Sequence, residues 1–474
     1  MKSEYEINIG LEIHAELKTN TKVFCSCRNA FGSAPNTNVC PVCIGLPGSL
    51  PVLNKEALIC AIKAGLSLGS DISPKINFDR KHYFYPDLPK AYQISQNENP
   101  VCIGGGITLS NGKFVRFNHI HLEEDAGKLV HDELTDQTFI DYNRGGVPLI
   151  EHVTEVDLSS ADEAVEFLTK LRQTLVFAGV ADCKMEQGGM RCDVNLSVRK
   201  KTDKWFGTKV EMKNLNSFRS VHRAIEYEAN RQIEALEKGE KIIQETRRWD
   251  DNKGYSYAMR TKEESKDYRY MPEPDIISVL ISSDEIEKIK AELPETPSKR
   301  FEKYTTKFAL PEYDANILIS EKFISDYFEN CCKLYAQPKT ISNWIMTDLL
   351  KLLKYSSYNT LDDIISAPYL CAIIKLLDEK KISRNVSKEL LLKVIETKES
   401  PLDIANREKL IEVIDTGAIY GIVDAVLAEK PDLASQYKVE PDKITNFIVG
   451  AVMKQTKGKA DATLVKEYVA KKLG

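Results

Sequence analysis

The amino-acid sequence predicts an α+β protein in which a sheet-rich part precedes a helical part. Up to about residue 290, short stretches alternate apolar and polar side chains and are separated by Gly and other turn residues. A period of two is typical of strands with one covered face, and such strands commonly pair antiparallel. After Pro294 the apolar residues recur at helical spacing instead. We therefore expect an antiparallel-sheet domain, then an all-α region, with the boundary near Pro294–Pro297.

Length and charge narrow the class of protein. A chain of 474 residues is too long for one ordinary core, so two to four domains are expected. The net charge of -5 excludes a uniformly basic nucleic-acid binder. Any contact with RNA would therefore be made by a local basic patch. The first residues lack an apolar signal core, and no run of eighteen apolar residues occurs. We expect a cytoplasmic protein without a membrane span, whose eleven cysteines are thiols or metal ligands.

The first predicted strand alternates strictly from Ile7 to Leu17, and Glu12 and His14 share its polar face. A carboxylate and an imidazole two residues apart on a rigid strand can hold a divalent metal or exchange a proton. For this stretch taken alone, an ordinary solvated strand face is the alternative.

Amphipathic helices are predicted from Lys55 to about Leu68 and from about Ser217 to Glu237. Another begins at a predicted capping box, in which Ser160 and Glu163 satisfy backbone amides reciprocally, and ends at Gly179.

Two further predicted strands, Met190–Arg199 and Lys209–Lys213, present charged residues of both signs on their open faces. Asp193 and Glu211 are the carboxylates of interest, because a concentrated mixture of charges on an open sheet face indicates a site.

A less regular strand covers His119 to Asp125. Alternation groups His119 and His121 with Glu123, which leaves Glu124 on the other face. Periodicity alone does not decide which of the two glutamates faces the site.

Two close pairs of cysteines form the most specific motif. Cys25 and Cys27 are separated from Cys40 and Cys43 by twelve residues. This spacing predicts a tetrahedral Zn²⁺ site, which would be structural because four protein ligands leave no open position. Free structural thiols are the alternative.

Common catalytic motifs are absent. In Gly106–Lys113 five residues separate the glycines, where a Walker A loop needs four, and Phe114 replaces the required Ser or Thr. No G-x-S-x-G, H-E-x-x-H or amidase signature supplies a nucleophile for acyl transfer.

Two stretches, Asp79–Lys90 and Tyr268–Asp275, mix basic and aromatic residues next to prolines. Such stretches can bind an RNA end or a nucleotide. The alternative is that they form packed aromatic loops. The chain from Asp442 onward contains seven lysines and three acidic residues, which makes it locally basic. Such a patch would bind phosphate groups. A solvated helix face is the alternative.

These stretches together resemble the GatB family, the B subunits of bacterial aspartyl/glutamyl-tRNA amidotransferases. The matching segments follow in order: GLEIHAELKT, FDRKHYFYPDLPKAYQISQ, HLEEDAGK, KMEQGGMRCDVN, EMKNLNSF, QETRRWD, DYRYMPEPD and, in the tail, NFIVGAVMKQTKGKA. The resemblance implies a catalytic cradle over residues 1–293, a helical domain over 294–403 and a small tRNA-binding helical tail over 404–474.

The resemblance also implies a reaction. With ATP and Mg²⁺, such a protein phosphorylates the side-chain carboxylate of Glu on tRNA(Gln) or Asp on tRNA(Asn), and ammonia then displaces phosphate to give the amide. A separate amidase (glutaminase) subunit makes the ammonia from glutamine, and a small third subunit joins the other two in a heterotrimer. A supply of ammonia from a partner would explain why this chain has no amidase motif.

Carried over position by position, the resemblance implies site residues. The Mg²⁺ ligands would be Glu12, His14, Glu124, Asp193 and Glu211, and Lys81 is the candidate for orienting phosphates or the acceptor end. The spacing of Cys25, Cys27, Cys40 and Cys43, and not the resemblance, makes them the expected zinc ligands, because some family members lack them. Within the basic patch at the end of the chain, Lys454, Lys457 and Lys459 are the candidates for binding tRNA. The alternative function is a zinc-stabilised RNA-binding module without catalysis.

Overall fold

The computed structural model describes residues 4–132, 134–261, 268–411, 416–438, 440–456, 460 and 462–474. The chain divides into two compact units, Met1–Lys299 and Arg300–Gly474. The finer limits expected at 293/294 and 403/404 stay predictions.

The strands within the described residues are β1 (Tyr5–Glu16), β2 (Asp71–Ile72), β3 (Lys75–Ile76), β4 (Asp79–His82), β5 (Tyr92–Ser95), β6 (Cys102–Ile103), β7 (Gly106–Thr108), β8 (Phe114–Glu124), β9 (Lys128–Asp132), β10 (Gln137–Asp141), β11 (Pro148–Thr154), β12 (Met190–Lys200), β13 (Val210–Leu215), β14 (Glu245–Asp250), β15 (Tyr255–Thr261), β16 (Met271–Pro272) and β17 (Val279–Leu280). They have at most seven residues, apart from the three long strands β1, β8 and β12.

The helices lie mostly in the second unit. They are α1 (Lys55–Ser67), α2 (Ala161–Phe177), α3 (Phe218–Glu237), α4 (Ser283–Ala291), α5 (Pro297–Thr306), α6 (Glu312–Leu318), α7 (Lys322–Leu334), α8 (Pro338–Trp344), α9 (Leu350–Lys354), α10 (Leu361–Ile364), α11 (Ala367–Asp378), α12 (Arg384–Thr397), α13 (Pro401–Arg407), α14 (Thr416–Glu429), α15 (Asp432–Tyr437), α16 (Pro441–Gln455) and α17 (Ala462–Leu473).

One large sheet organises the described part of the first unit, in the order β15-β14-β13-β12-β1-β11-β8-β6-β2, with β7 also paired to β8. Its pairs are antiparallel, as predicted, except that β13 and β14 run parallel. Helix α3 connects these two strands, and a helical crossover is what allows neighbouring strands to run in the same direction. The sheet followed by a helical region confirms the α+β class.

The sheet has one covered face. The apolar residues of β1, including Ile9, Leu11 and Ile13, are fully buried in the same core as the inner faces of α1, α2 and α3. The alternate residues of β1 and β12 therefore lie on the opposite face, where the candidate site is found.

The predicted helices are present, but one cap differs from its prediction. Ser160 accepts from the amide of Glu163 at 3.1 Å, as in a capping box. The Glu163 carboxylate, however, accepts from the amide of Ser159 at 2.9 Å and pairs with Lys113 at 2.7 Å. The ion pair with Lys113 draws the Glu163 carboxylate away from the backbone amide of Ser160, so the second hydrogen bond of a capping box does not form.

In the second unit, α14, α16 and α17 share a core of their own, built around Ile448, Val452 and Val465. None of the helices within the described residues is both long and apolar enough to cross a lipid bilayer.

Candidate active site

Strand register brings the predicted polar residues together on the open face of the sheet. Glu12 on β1 lies opposite Asp193 on β12, and the neighbouring Asn195 lies opposite Glu211 on β13. On the other side of β1, His14 lies opposite Glu151 on β11. Glu12 therefore lies beside residues of β12, whereas His14 lies beside residues of β11, and two groups of possible metal ligands result.

The first group contains only carboxylates: Glu12, Asp193 and Glu211 offer oxygens that all lie within 4.8 Å of one another. Asn195 donates to Glu12 at 2.9 Å, and the ammonium of Lys213 contacts Asp193 and lies 3.5 Å from Glu211. Oxygen ligands of this kind are what Mg²⁺ prefers.

Burial raises the pKa of Glu12, and the negative charges of Glu151, Glu211 and Asp193 raise it further. Lys213 offsets only part of this repulsion. A divalent cation would relieve it, so the residues present fit the metal that the resemblance implies.

The second group mixes imidazole and carboxylate. His14, Glu123 and Glu151 offer ligand atoms within 4.8 Å of one another. The Nε2 atom of His14 lies 3.3 Å from Glu151 and 3.5 Å from Glu123. His121, directly opposite Glu151 on β8, has its Nε2 atom 3.3 Å from Glu151 and 3.4 Å from Glu123.

The two histidines and two glutamates of the second group stabilise one another's charges. Burial alone would lower the pKa of His121, but Glu151 and Glu123 outweigh it and raise that pKa to about 10. Burial alone would favour neutral Glu151, yet the facing His14 and His121 hold its pKa well below its ordinary value. A metal bound here would replace protons on the imidazoles, which is the usual linkage at such sites.

The five-ligand Mg²⁺ site expected from the resemblance stays a prediction, and four of its five residues fall into two neighbouring groups. Glu12, Asp193 and Glu211 come together, and His14 belongs to the neighbouring group. Glu124 joins neither group, because it ends β8 on the other face, where it contacts Lys90 and accepts from the amide of Ile94 at 2.9 Å. Glu123 lies beside His14 and His121, on the face where alternation through β8 groups it with His121.

Glu151 and His121 were not among the predicted site residues. The signal for Glu151 was available, since it is the one carboxylate in the strand Pro148–Thr154. Its partners could not be known, because the pairing of β11 with both β1 and β8 cannot be seen in the sequence.

Lys81 on β4 lies close to the second group. Burial alone would lower its pKa, but Glu123, Tyr270 and Glu151 outweigh that effect and raise it, so the side chain stays an ammonium. Its Nζ atom lies 4.9 Å from the centre of the Tyr268 ring.

The two basic and aromatic stretches meet in the structure. Met271 on β16 pairs with Arg80 on β4, and Arg80 makes a bidentate contact with Glu273 at 2.8 and 3.0 Å. The Tyr83 and Tyr268 rings pack edge to face with centroids 6.1 Å apart. They form one surface beside Lys81, and whether RNA binds it stays a prediction.

The four predicted zinc ligands converge in the long loop between β1 and α1. Their sulfur atoms all lie within 4.8 Å of one another, which fits a tetrahedral thiolate site. The Cys43 sulfur accepts from the amide of Cys40 at 3.2 Å and lies 3.6 Å from the Lys22 ammonium. A hydrogen bond from Cys25 is the largest of the influences that lower the pKa of Cys43 to about 4.

Of the lysines predicted to bind tRNA, Lys454 is exposed in the last turn of α16. Lys457 and Lys459 lie outside the described residues.

Glu16, the next residue on the polar face of β1 after His14, gives a prediction about stability. Burial and the neighbouring Asp125 raise its pKa to about 7, against the opposing charges of Arg191 and Arg144. The folded protein therefore holds a proton more tightly than the unfolded chain, so this residue lowers stability as pH rises from 4.5 through 7. Glu16→Gln should stabilise the protein at pH 8 by about 1–2 kcal/mol, allowing for partial exposure, and by much less at pH 5.

Thermal melting at pH 5 and pH 8 measures this difference. Glu98→Gln is the control, because Glu98 is exposed on a turn. An equal change for Glu16→Gln at both pH values would contradict the prediction.

Comparison with known proteins gives matches along nearly the whole chain. Residues 7–287 match the family described as "GatB/GatE catalytic domain", and residues 326–473 match the family described as "GatB domain". Proteins named as the B subunit of aspartyl/glutamyl-tRNA(Asn/Gln) amidotransferase are similar over 98–99% of both chains. They include those of Caldicellulosiruptor bescii at 49% identity, Agathobacter rectalis at 47% and Thermodesulfovibrio yellowstonii at 46%.

Proposed function

The chain belongs to the family of aspartyl/glutamyl-tRNA(Asn/Gln) amidotransferase B subunits, and from this premise we propose that it activates a carboxylate carried by tRNA. The substrate is Glu on tRNA(Gln) or Asp on tRNA(Asn), and the phosphoryl donor is ATP. A partner amidase (glutaminase) supplies ammonia from glutamine, a small third subunit completes the heterotrimer, and the reaction takes place in the cytoplasm.

Activation is needed because a carboxylate oxygen is a poor leaving group. In the proposed first step, that oxygen forms a bond to the γ-phosphorus while the bond to ADP breaks. In the second step, ammonia forms a C–N bond to the acyl carbon, inorganic phosphate leaves with the oxygen, and a proton is released. Bound Mg²⁺ would screen the negative charges of the transferred phosphoryl group and of the attacking carboxylate.

The observation that carries the proposal is the pair of ligand groups side by side on one sheet face. Glu12, Asp193 and Glu211 are the proposed Mg²⁺ ligands, since all three supply hard oxygens within 4.8 Å. His14, Glu123 and Glu151 are proposed to hold a second divalent ion. An RNA-binding module without catalysis would gain nothing from clustered carboxylates where phosphates must approach.

Lys81 is proposed to orient phosphate oxygens or the acceptor end. Its side chain is held as an ammonium by Glu123 and Glu151, so it can attract an anion but cannot accept a proton at neutral pH. The four cysteines are proposed to bind Zn²⁺ as a structural brace, and Lys454, Lys457 and Lys459 to contact tRNA.

The decisive test measures release of phosphate from ATP by the complex with its partner subunits. We expect release that requires Mg²⁺ and is stimulated by Glu-tRNA(Gln) or Asp-tRNA(Asn), but not by correctly charged tRNA. Glutamine or ammonium should then convert the aminoacyl group to the amide. If tRNA binds but stimulates no release, the chain is an RNA-binding module and the proposal is wrong.

A further inference from the structure

The segment that joins β12 to β13 is unusually basic and aromatic for an acidic chain. We define the basic aromatic loop as residues 199–209, whose sequence RKKTDKWFGTK holds five basic residues and one acidic residue. Within the part of the chain that is described, Lys200, Lys201 and Lys204 form no ion pair with a carboxylate. Their charges are therefore available to an anionic partner.

The loop has a defined shape, so its exposure does not result from a frayed hairpin. Asp203 closes a turn by accepting from the amide of Lys200 at 3.1 Å and donating its own amide to the Lys200 carbonyl at 2.9 Å. The amide of Lys201 donates to the Glu4 carbonyl at 2.9 Å. Gly207 lies directly on β12, because a Cβ atom there would meet the carbonyl oxygen of Val198 at 2.1 Å.

This ordered loop presents two large rings to solvent. Trp205 is 76% exposed and Phe206 is 60% exposed. The Arg199 guanidinium lies 5.2 Å from the centre of the Phe206 ring, and the Lys204 ammonium lies 5.3 Å from that of Trp205. Both rings line a groove of about 420 Å³, whose other wall includes Leu236 at the end of α3 and the following Glu240 and Lys241. Cations interleaved with exposed rings suit a nucleic-acid strand, whose phosphates and bases they bind together.

Arg199, the first residue of the loop, lies on the face of the sheet that carries the carboxylate groups. Arg199 lies opposite Glu6 in the same register that places Asp193 opposite Glu12, and Arg199 donates to Glu6 at 3.0 Å. Six residues of strand separate Glu6 from Glu12, a distance of about 20 Å. An RNA whose end reaches Glu12 along this face would pass the loop about six base steps away.

We propose that the basic aromatic loop binds the acceptor arm of the tRNA substrate, with its lysines on backbone phosphates and Trp205 stacked on a base or ribose. This inference rests on the proposed function for the identity of the RNA. It adds a second contact, at the end of the sheet face away from His14, that would hold the RNA while its end is activated.

Tryptophan fluorescence tests the contact directly, because the other two tryptophans, Trp249 and Trp344, are buried. Titrating the full chain with fluorescently labelled, unacylated tRNA should quench the emission of Trp205 in parallel with the rise in tRNA anisotropy. Trp205→Phe should remove the quenching but keep the affinity within about twofold, since a ring face remains. Trp205→Ala should weaken binding about 10-fold.

The lysines are tested by changing Lys200, Lys201 and Lys204 together to Gln. Affinity should fall at least about 10-fold at moderate salt, and the slope of log K against log salt should become shallower by about two to three. The matched control changes Lys288 and Lys290, which are exposed on α4, to Gln and should leave both quantities unchanged. Circular dichroism of each variant verifies that it is folded.

Three results would overturn the inference: tRNA that binds without affecting Trp205, loop variants that bind as tightly as the wild type, or no tRNA binding. Protection of Trp205 from acrylamide by anionic phospholipid vesicles or by the partner subunits, in place of tRNA, would also overturn it. These binding measurements need no ATP. Failure of phosphate release alone therefore contradicts the proposed function and leaves the loop contact standing.

Discussion

Replacing Glu12 by Gln is expected to lower tRNA-stimulated phosphate release by about 10³-fold or more, while making the metal-free protein more stable. The loss follows because one of three clustered carboxylates disappears, and with it much of the attraction for the cation that screens the transferred phosphoryl group. Glutamine keeps the size of the side chain and an oxygen that can accept from Asn195, so the fold should survive.

The gain in stability has a specific pH dependence. Burial and the charges of Glu151, Glu211 and Asp193 raise the pKa of Glu12 above its ordinary 4.5. The folded protein therefore binds this proton more tightly than the unfolded chain, and stability is lost as pH rises above 4.5. Gln carries no such charge, so the advantage of the variant should be small near pH 5 and larger at pH 8.

Melting curves in EDTA at the two pH values measure this effect. The same measurement with Mg²⁺ should favour the wild type. Added Mg²⁺ should raise the melting temperature of the wild type more than that of Glu12→Gln, since ligands that bind the native state stabilise it. Asp71→Asn, an exposed carboxylate on the edge strand β2, is the control for a lost negative charge. A variant with normal phosphate release would contradict the assignment of Glu12.

Local patterns were sufficient to predict the framework around Glu12. Strict alternation predicted β1 and β12, and the periodic helices were found close to their expected limits, because each signal is contained within one element. The division into two ligand groups was not predictable in the same way. It depends on β1 having β12 on one side and β11 on the other, a pairing of residues far apart in the chain.

The same reasoning applies to the positions of Glu123 and Glu124. Alternation correctly grouped His121 with Glu123, but it could not show that Glu151 would stand opposite His121 and complete the group. The parallel pairing of β13 with β14 was missed for a related reason. Lys209–Lys213 shows a strand, but its direction relative to a neighbour depends on how α3 crosses over.

Replacing Cys40 by Ser is expected to reduce bound zinc from about one ion per chain to near none, and to loosen the loop between β1 and α1. Residues 17–54 contain no helix or strand in the described structure apart from a single bridge between Thr21 and Arg28. Hydrogen bonds and a few buried apolar side chains, among them Val23 and Phe24, anchor this segment, and a metal held by the four converging sulfur atoms would cross-link it further.

Metal analysis and hydrogen exchange on the complex measure the two effects. The amides of Asn36 and Asn38 donate to Asp141 and Asn143 at 3.0 and 2.8 Å, and both should lose protection in Cys40→Ser. The amide of Leu11, which donates to Thr154 within the sheet, should keep its protection. Cys332→Ser, in α7 of the second unit, is the matched control and should retain its zinc.

The buried side chain of Lys22 beside the cysteines gives a second reason why loss of zinc should loosen the loop. Lys22 is fully buried, with its ammonium 3.6 Å from the Cys43 sulfur and 3.1 Å from the Tyr142 carbonyl. An ammonium in that position needs a nearby anion, and Zn²⁺ with four thiolates carries a net charge of about -2 that supplies one. Loss of zinc should therefore destabilise the loop both by removing the cross-link and by reducing the negative charge that Lys22 faces. Unchanged zinc content in Cys40→Ser would show that the four-cysteine assignment is wrong. The tRNA-stimulated release of phosphate should persist in this variant, because none of these sulfur atoms belongs to the carboxylate groups.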